Sequence, residues 1–122
     1  MSLCLAFTLV QPWDCWLFER GGERVEVPVR GPMRLNDSDA LLHSALAGVG
    51  LVLLTTWMVS EDLQAGRLRR LLPDWEGRLA PGDRFIWGVY PPKKFVSPKV
   101  RVFLDHVEER FGSPAYWDAK LP

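Results

Sequence analysis

An excess of either charge, a metal-binding cluster and an uninterrupted membrane-length hydrophobic helix are all missing from this chain. Its 15 basic and 15 acidic side chains give a formal net charge of zero. A surface built mainly to hold nucleic acid needs a basic excess that releases counterions, so this segment is expected to make no direct nucleic-acid contact. The 2 cysteines, Cys4 and Cys15, form no CxxC pair, and neither of the 2 histidines, His43 and His106, stands at zinc-ligand spacing from them. They fit best as small buried hydrophobes in a reducing compartment. No metal and no cofactor is expected. The N-terminus lacks the basic region and long apolar core of a secretion signal. Residues 40–60 contain no Asp, Glu, Lys or Arg, which at ~1.5 Å per residue is long enough to cross a bilayer. His43, Ser44, Thr55, Thr56 and the Gly48/Gly50 pair interrupt that run, and its helical period stops at the glycines. The expectation is therefore a soluble, cytoplasmic chain with no membrane partner.

The best-punctuated stretch is residues 35–57, LNDSDALLHSALAGVGLVLLTTW. Asn36, Asp37 and Ser38 are residue types that cap a helix by accepting hydrogen bonds from its orphan N–H groups, and Asp39 adds negative charge in the first turn. Leu41, Leu42, Ala45, Leu46 and Val49 share one face of a 3.6-residue period. Gly48 and Gly50 offer the left-handed backbone that ends a helix. Residues 51–54 are a short apolar run suited to the middle of a covered sheet. With 48% hydrophobic and 25% charged residues in 122, the chain is one globular domain or a piece of one.

In chain order, residues 3–10 read as a buried strand and 11–14 as a loop. Residues 15–20 and 25–29 flank Gly21-Gly22 as an antiparallel hairpin, with Pro28 marking the second arm as an edge. Residues 33–35 form a brief strand into the helix. After Trp57, residues 59–65 read as one or two helical turns stopped by Gly66. Residues 67–72 read as a short strand, 74–83 as a loop with a turn at 81–82, and 84–90 as a second apolar strand. Ser97-Pro98 is a helix start, and Val100, Phe103, Leu104, Val107 and Phe111 repeat at helical spacing up to Gly112. Helices between apolar strands predict an α/β sheet carrying an antiparallel hairpin.

Catalytic constellations do not hold up. His43, Ser44 and Asp39 lie on one helix without the nucleophile turn that triad chemistry uses. Gly48-Val49-Gly50 closes a helix and precedes a strand, the reverse of a dinucleotide loop. Lys93, Lys94, Lys99 and Arg101 form a local basic cluster whose default is a solvated face. The chain is not expected to be an enzyme. What remains is positional, because small ligands bind at strand carboxyl ends and helix N-termini of open α/β sheets. Asn36, Asp37 and Ser38 occupy one such end, and Thr55 and Thr56 follow an apolar strand. If both ends face one crevice they form a small polar ligand site. Plain capping plus a polar loop competes evenly with that reading.

Residues 30–75, RGPMRLNDSDALLHSALAGVGLVLLTTWMVSEDLQAGRLRRLLPDW, and residues 85–112, FIWGVYPPKKFVSPKVRVFLDHVEERFG, resemble the effector-binding domain of LysR-type transcriptional regulators. The family's ND helix start, its ALLxAALAGxGxxLLPxW run, its DLxxGxLxxLLP segment and its VYP…SPKVRxFxDF closing helix all have counterparts in order. They fall at residues 36–37, 40–42, 45–48, 50, 53–54, 57, 62–63, 66, 68, 71–73, 89–91 and 97–101. The resemblance implies a periplasmic-binding-protein-like (type II) fold, here partial, with an antiparallel hairpin on a mixed sheet. It implies a truncated domain in which residues 1–66 belong mainly to the second subdomain. Residues 67–83 would hold the return crossing and a loop, and residues 84–122 the closing strand, helix and tail of the first subdomain. The family's N-terminal winged helix-turn-helix and first half-domain are not in these 122 residues. The implied function is the effector-sensing and oligomerisation portion of such a regulator. Its small-molecule effector would be a carboxylate or aromatic acid held by Asn36, Asp37, Ser38, Thr55 and Thr56. The implied protein partners are a second copy or a LysR-type regulator. The alternative is an interaction module without effector binding that pairs with full-length regulators. Thr55-Thr56 replaces the family's usual proline, which adds a hydroxyl and a free N–H at the strand end.

Overall fold

The computed structural model describes residues 4–7, 15–79, 86–90, 92 and 96–121. The elements run β1 (Cys4–Phe7), β2 (Cys15–Arg20), β3 (Glu23–Pro28), β4 (Met33–Leu35), α1 (Ser38–Leu46), β5 (Leu51–Val52), α2 (Thr56–Gln64), β6 (Glu76–Arg78) and α3 (Pro98–Phe111). They build two three-stranded sheets, one parallel in the order β4-β1-β5 and one antiparallel in the order β3-β2-β6.

The parallel sheet follows from the punctuated stretch. Parallel neighbours cannot be joined by a tight turn, so a crossover helix is required. Here α1 carries the chain from β4 over β1 to β5. Side chains alternate along β1, so Leu5 faces one side while Cys4 and Ala6 face the other. Leu5 and Leu41 are both buried to 1% exposure, as expected where α1 lies across β1. On the other side Ala6 joins Trp16 and Val29 in a buried cluster, with Cys4, Phe18, Leu53 and Leu79 packed around it. That cluster fastens the two sheets together. Gly31 passes so close to the start of β1 that a Cβ there would overlap the Cys4 carbonyl oxygen.

The expected hairpin forms, with its second arm at Glu23–Pro28 instead of 25–29 and a register running from Cys15 opposite Pro28 to Arg20 opposite Glu23; Gly21 and Gly22 are both at positive φ in the turn. β3 is an edge strand, exposed along its length. Five elements differ from the sequence expectation. The first is the strand expected at 84–90: its described residues, 86–90, are irregular and pair with no strand, so their apolar side chains are left exposed. The 51–54 run forms a ladder only at Leu51–Val52 and sits at the sheet's edge, leaving Leu51 43% exposed. The second helix begins at Thr56, three residues early, because Thr55 takes the N-cap position. Residues 67–72 pair with no strand among the described residues. Instead, part of the expected 74–83 loop forms β6, which pairs with β2 through Leu17–Arg78, Phe18–Gly77 and Glu19–Glu76. Arg20 stacks over the Trp75 ring at 4.3 Å, which holds the approach to β6 against the hairpin. Residues 3, 8–14, 81–85, Lys93 and Lys94 lie outside the described residues.

Ser97 is the N-cap of α3 and Pro98 opens it, although the Ser97 hydroxyl makes no cap bond. Val100, Leu104, Val107 and Phe111 are half-buried on its inner face, whereas Phe103 is 64% exposed. Gly112 ends the helix at φ 77, and the tail returns so that Trp117 meets Phe111 edge-on at 5.0 Å.

Candidate functional site

Because β4, β1 and β5 are parallel, their carboxyl ends share one edge of the sheet. Phe7 pairs with Leu35, and Leu5 pairs with Val52. The N-cap of α1, Asp37, stands two residues beyond Leu35, and the N-cap of α2, Thr55, stands three beyond Val52. Both helices therefore start at that edge. With β1 between them, their parent strands are two strand spacings apart, roughly 10 Å. The topology thus brings Asn36, Asp37 and Ser38 to the same edge as Thr55 and Thr56.

The two helix starts differ chemically. The Asp37 Oδ1 accepts hydrogen bonds from the Asp39 amide at 2.8 Å and the Ala40 amide at 3.1 Å. Its carboxylate already satisfies two first-turn donors and, with Asp39 beside it, makes this end negative. For Asp37 the capping reading is correct. Asn36 is exposed and Ser38 half-buried. At α2 there is no side-chain cap bond and no acidic residue in the first turn. The Thr55 Oγ1 is buried, with no hydrogen-bond partner. Thr56 is exposed, and Trp57 presents 56% of its surface next to it. A buried hydroxyl without a partner costs about 1–3 kcal/mol, so an orphan at this point marks a place where a polar group fits.

The remaining sequence candidates stay local. Ser44 Oγ donates to the Ala40 carbonyl at 2.8 Å, and His43 Nδ1 donates to the Asp39 carbonyl at 2.7 Å on an exposed surface. Neither hydroxyl nor imidazole is aimed at the other, so no triad forms. No group of three or more potential metal ligands occurs among the described residues. Sequence reasoning overlooked Trp57 as a neighbour of the site. The signal was available, since a threonine pair precedes a run free of Gly and Pro up to Gly66, which is a helix start. It also overlooked the lock at the far end of α2. There the buried Asp62 accepts from Arg67 Nε at 2.6 Å, while its backbone carbonyl accepts from the Arg67 and Leu68 amides.

The family model described as LysR substrate binding domain matches residues 4–112. This chain belongs to the LysR substrate-binding domain family. The HTH-type transcriptional regulator PtxR of Pseudomonas aeruginosa is 36% identical over 104 residues, which are 85% of this chain and 32% of that protein. The HTH-type transcriptional activator TtdR of Escherichia coli K12 is 30% identical over 103 residues, 81% of this chain and 32% of the activator. Among solved structures, the regulatory domain of AphB from Vibrio vulnificus superposes with a TM-score of 0.62 at 27% identity, covering 87% of this chain and 50% of that one. Full-length AphB of Vibrio cholerae, a virulence activator of the LTTR family, gives 0.61 at 25% identity, covering 35% of its length. The chain thus spans about a third of the curated regulators it matches and half of a LysR regulatory domain. The mixed α/β architecture is the periplasmic-binding-protein-like fold of that domain class. These relatives are transcription regulators, not enzymes.

Proposed function

We propose that this chain is part of the effector-sensing and oligomerisation unit of a LysR-type transcriptional regulator, working in the cytoplasm. The observation that carries the reading is the shared sheet edge where two helix N-termini flank β1 and the Thr55 hydroxyl is buried without a partner. The effector is a small carboxylate or aromatic acid. Its anionic group fits the α2 start, where amide donors are uncapped and no acid repels it. The Asp37-capped start of α1 takes the effector's neutral or donor end, with Asn36 and Ser38 as the polar contacts. Trp57 offers an aromatic flank. Residues 1–66 are assigned mainly to the second subdomain and residues 84–122 to the first, with the return crossing inside 67–83.

The test is a thermal-shift screen with small aliphatic carboxylates and aromatic acids, using their amides as uncharged controls. An acid that stabilises the protein while its amide does not, with the shift lost in Thr55→Val and reduced in Asn36→Ala, supports sensing at this edge. A shift that survives both substitutions places the ligand elsewhere.

A further inference from the structure

The last helix carries little that would hold it folded by itself. α3 has 14 residues, and helices shorter than ~12–15 residues are marginal in water without tertiary packing. Val100, Val102 and Val107 are β-branched and lose side-chain freedom in a helix. The charges oppose the macrodipole. The first turn has no acid and carries Lys99, followed by Arg101, whereas Asp105, Glu108 and Glu109 stand in the second half. Asp105 lies three residues from Glu108 and four from Glu109, spacings at which like charges repel. Arg101, four residues before Asp105, and Arg110 in the last turn offset part of this. Burial does not supply the rest, because none of the helix's residues is buried. Leu104 approaches Gly88 near the middle of α3; its C-terminal turn is held by the tail.

Gly112 turns the chain at φ 77, and the residues after it fold back in consecutive turns. The Asp118 and Ala119 amides donate to the Ala115 carbonyl at 2.8 and 3.0 Å, and the Leu121 amide donates to the Asp118 carbonyl at 3.2 Å. The Tyr116 amide donates to the Phe111 carbonyl at 2.8 Å, satisfying one of the acceptors that a helix end leaves without a partner. Trp117 then meets two rings edge-on, Phe111 at 5.0 Å and Tyr116 at 4.9 Å. Phe111 and Trp117 are half-buried by this contact region, while Tyr116 stays exposed. The family match ends at residue 112, so the whole tail lies outside the matched span.

We infer, beyond the sensing reading and independently of it, that residues 113–121 are a strap that closes on the last turn of α3 and makes helix and tail one opening unit, separable from the sheets. Closed, the strap occupies the Phe111 carbonyl and covers part of its ring. Open, it leaves that end of α3 with its adverse charges and no cover, so helix and strap fray together. Segments with few buried contacts open in this way as local cooperative units.

Native-state hydrogen exchange on the full chain, read by NMR, tests the strap. The amides of the last two turns of α3 and those of Tyr116 and Ala119 are expected to exchange through one common opening, faster than the amides of α1. Trp117→Ala is expected to accelerate exchange in those two turns roughly 3- to 10-fold, the worth of an edge-to-face ring pair, and to leave α1 unchanged. Trp117→Phe keeps a ring against Phe111 and is expected to stay within about twofold. Ending the chain at Gly112 is expected to match Trp117→Ala or exceed it. Unaltered exchange in α3 with Trp117→Ala overturns the strap. Acceleration that reaches α1 to the same degree overturns the separable unit, since Trp117 then supports the whole molecule. Exchange in Trp117→Phe as fast as in Trp117→Ala overturns the ring contact as the means of closing.

Discussion

Replacing Thr55 by valine separates two views of the sheet edge by the sign of its effect. A threonine that caps a helix contributes about 0.5–2 kcal/mol, and losing it destabilises the protein. Thr55 occupies the N-cap of α2 with suitable backbone angles, φ −69 and ψ 145, but makes no side-chain cap bond, and its Oγ1 is buried without a partner. Valine keeps the β-branch, the restricted χ1 and nearly the same volume, and it deletes only the unsatisfied oxygen. The desolvation penalty of about 1–3 kcal/mol is then relieved, so Thr55→Val is expected to stabilise the ligand-free protein by about 1–2 kcal/mol. For a chain of this size that is a rise in Tm of roughly 3–6 °C per kcal/mol. Urea unfolding followed by tryptophan fluorescence, with an unchanged slope, gives the free energy directly. The same variant is expected to lose the acid-dependent thermal shift, exchanging sensing for stability. A loss of about 0.5 kcal/mol or more in the ligand-free protein, the lower bound for a working cap, would refute the reasoning, since the hydroxyl would then already be satisfied.

Substitutions at four further positions probe the frame around this edge. Asp37→Ala should cost about 1 kcal/mol in urea unfolding by freeing the Asp39 and Ala40 amides, whereas Asp37→Asn should keep most of the cap and tighten binding of an anionic effector, measured by calorimetry. Gly31→Ala should destabilise by about 2–3 kcal/mol or prevent folding, because its methyl meets the Cys4 carbonyl and backbone cannot give way as a side chain can. Leu72 sits at φ 54, a left-handed position for a non-glycine residue, and Leu72→Gly should stabilise by about 0.5–1 kcal/mol once the unfolded-state entropy of glycine is deducted. Arg67→Ala should cost about 1 kcal/mol, since Asp62 is buried but its partner's side chain is 58% exposed and the pair is screened.

The sequence was most legible where local chemistry decides the structure. The hairpin, with glycines in its turn and valines alternating on its second arm, forms where it was expected, and the caps of α1 and α3 fall on Asp37 and Ser97. Legibility failed where pairing partners are distant. Residues 67–72 have strand-like composition but no neighbour to pair with among the described residues, while Glu-Gly-Arg at 76–78 pairs because β2 has a free edge within reach. Gly77 is tolerated there because Leu53 fills the space a side chain would take. At the site, the residue types were readable but their satisfaction was not. Asp37 and Thr55 look equally suited to capping in the sequence, and only the folded structure distinguishes a carboxylate with two donors from a hydroxyl with none.

The central position of β1 has a kinetic consequence. The two strands that carry the helix starts do not touch each other; among the described residues, each is paired only with residues 4–7. During synthesis those residues emerge well before Leu51 and Val52, which lie more than forty residues further along the chain, and the sheet cannot close until both are present. Closing so long a loop carries an entropic barrier that the local hairpin and α1 do not face. The edge that holds both helix starts is thus expected to be among the last parts of the molecule to assemble. Blocking or deleting the first seven residues should leave the hairpin's circular-dichroism signal largely intact while disconnecting α1 from α2.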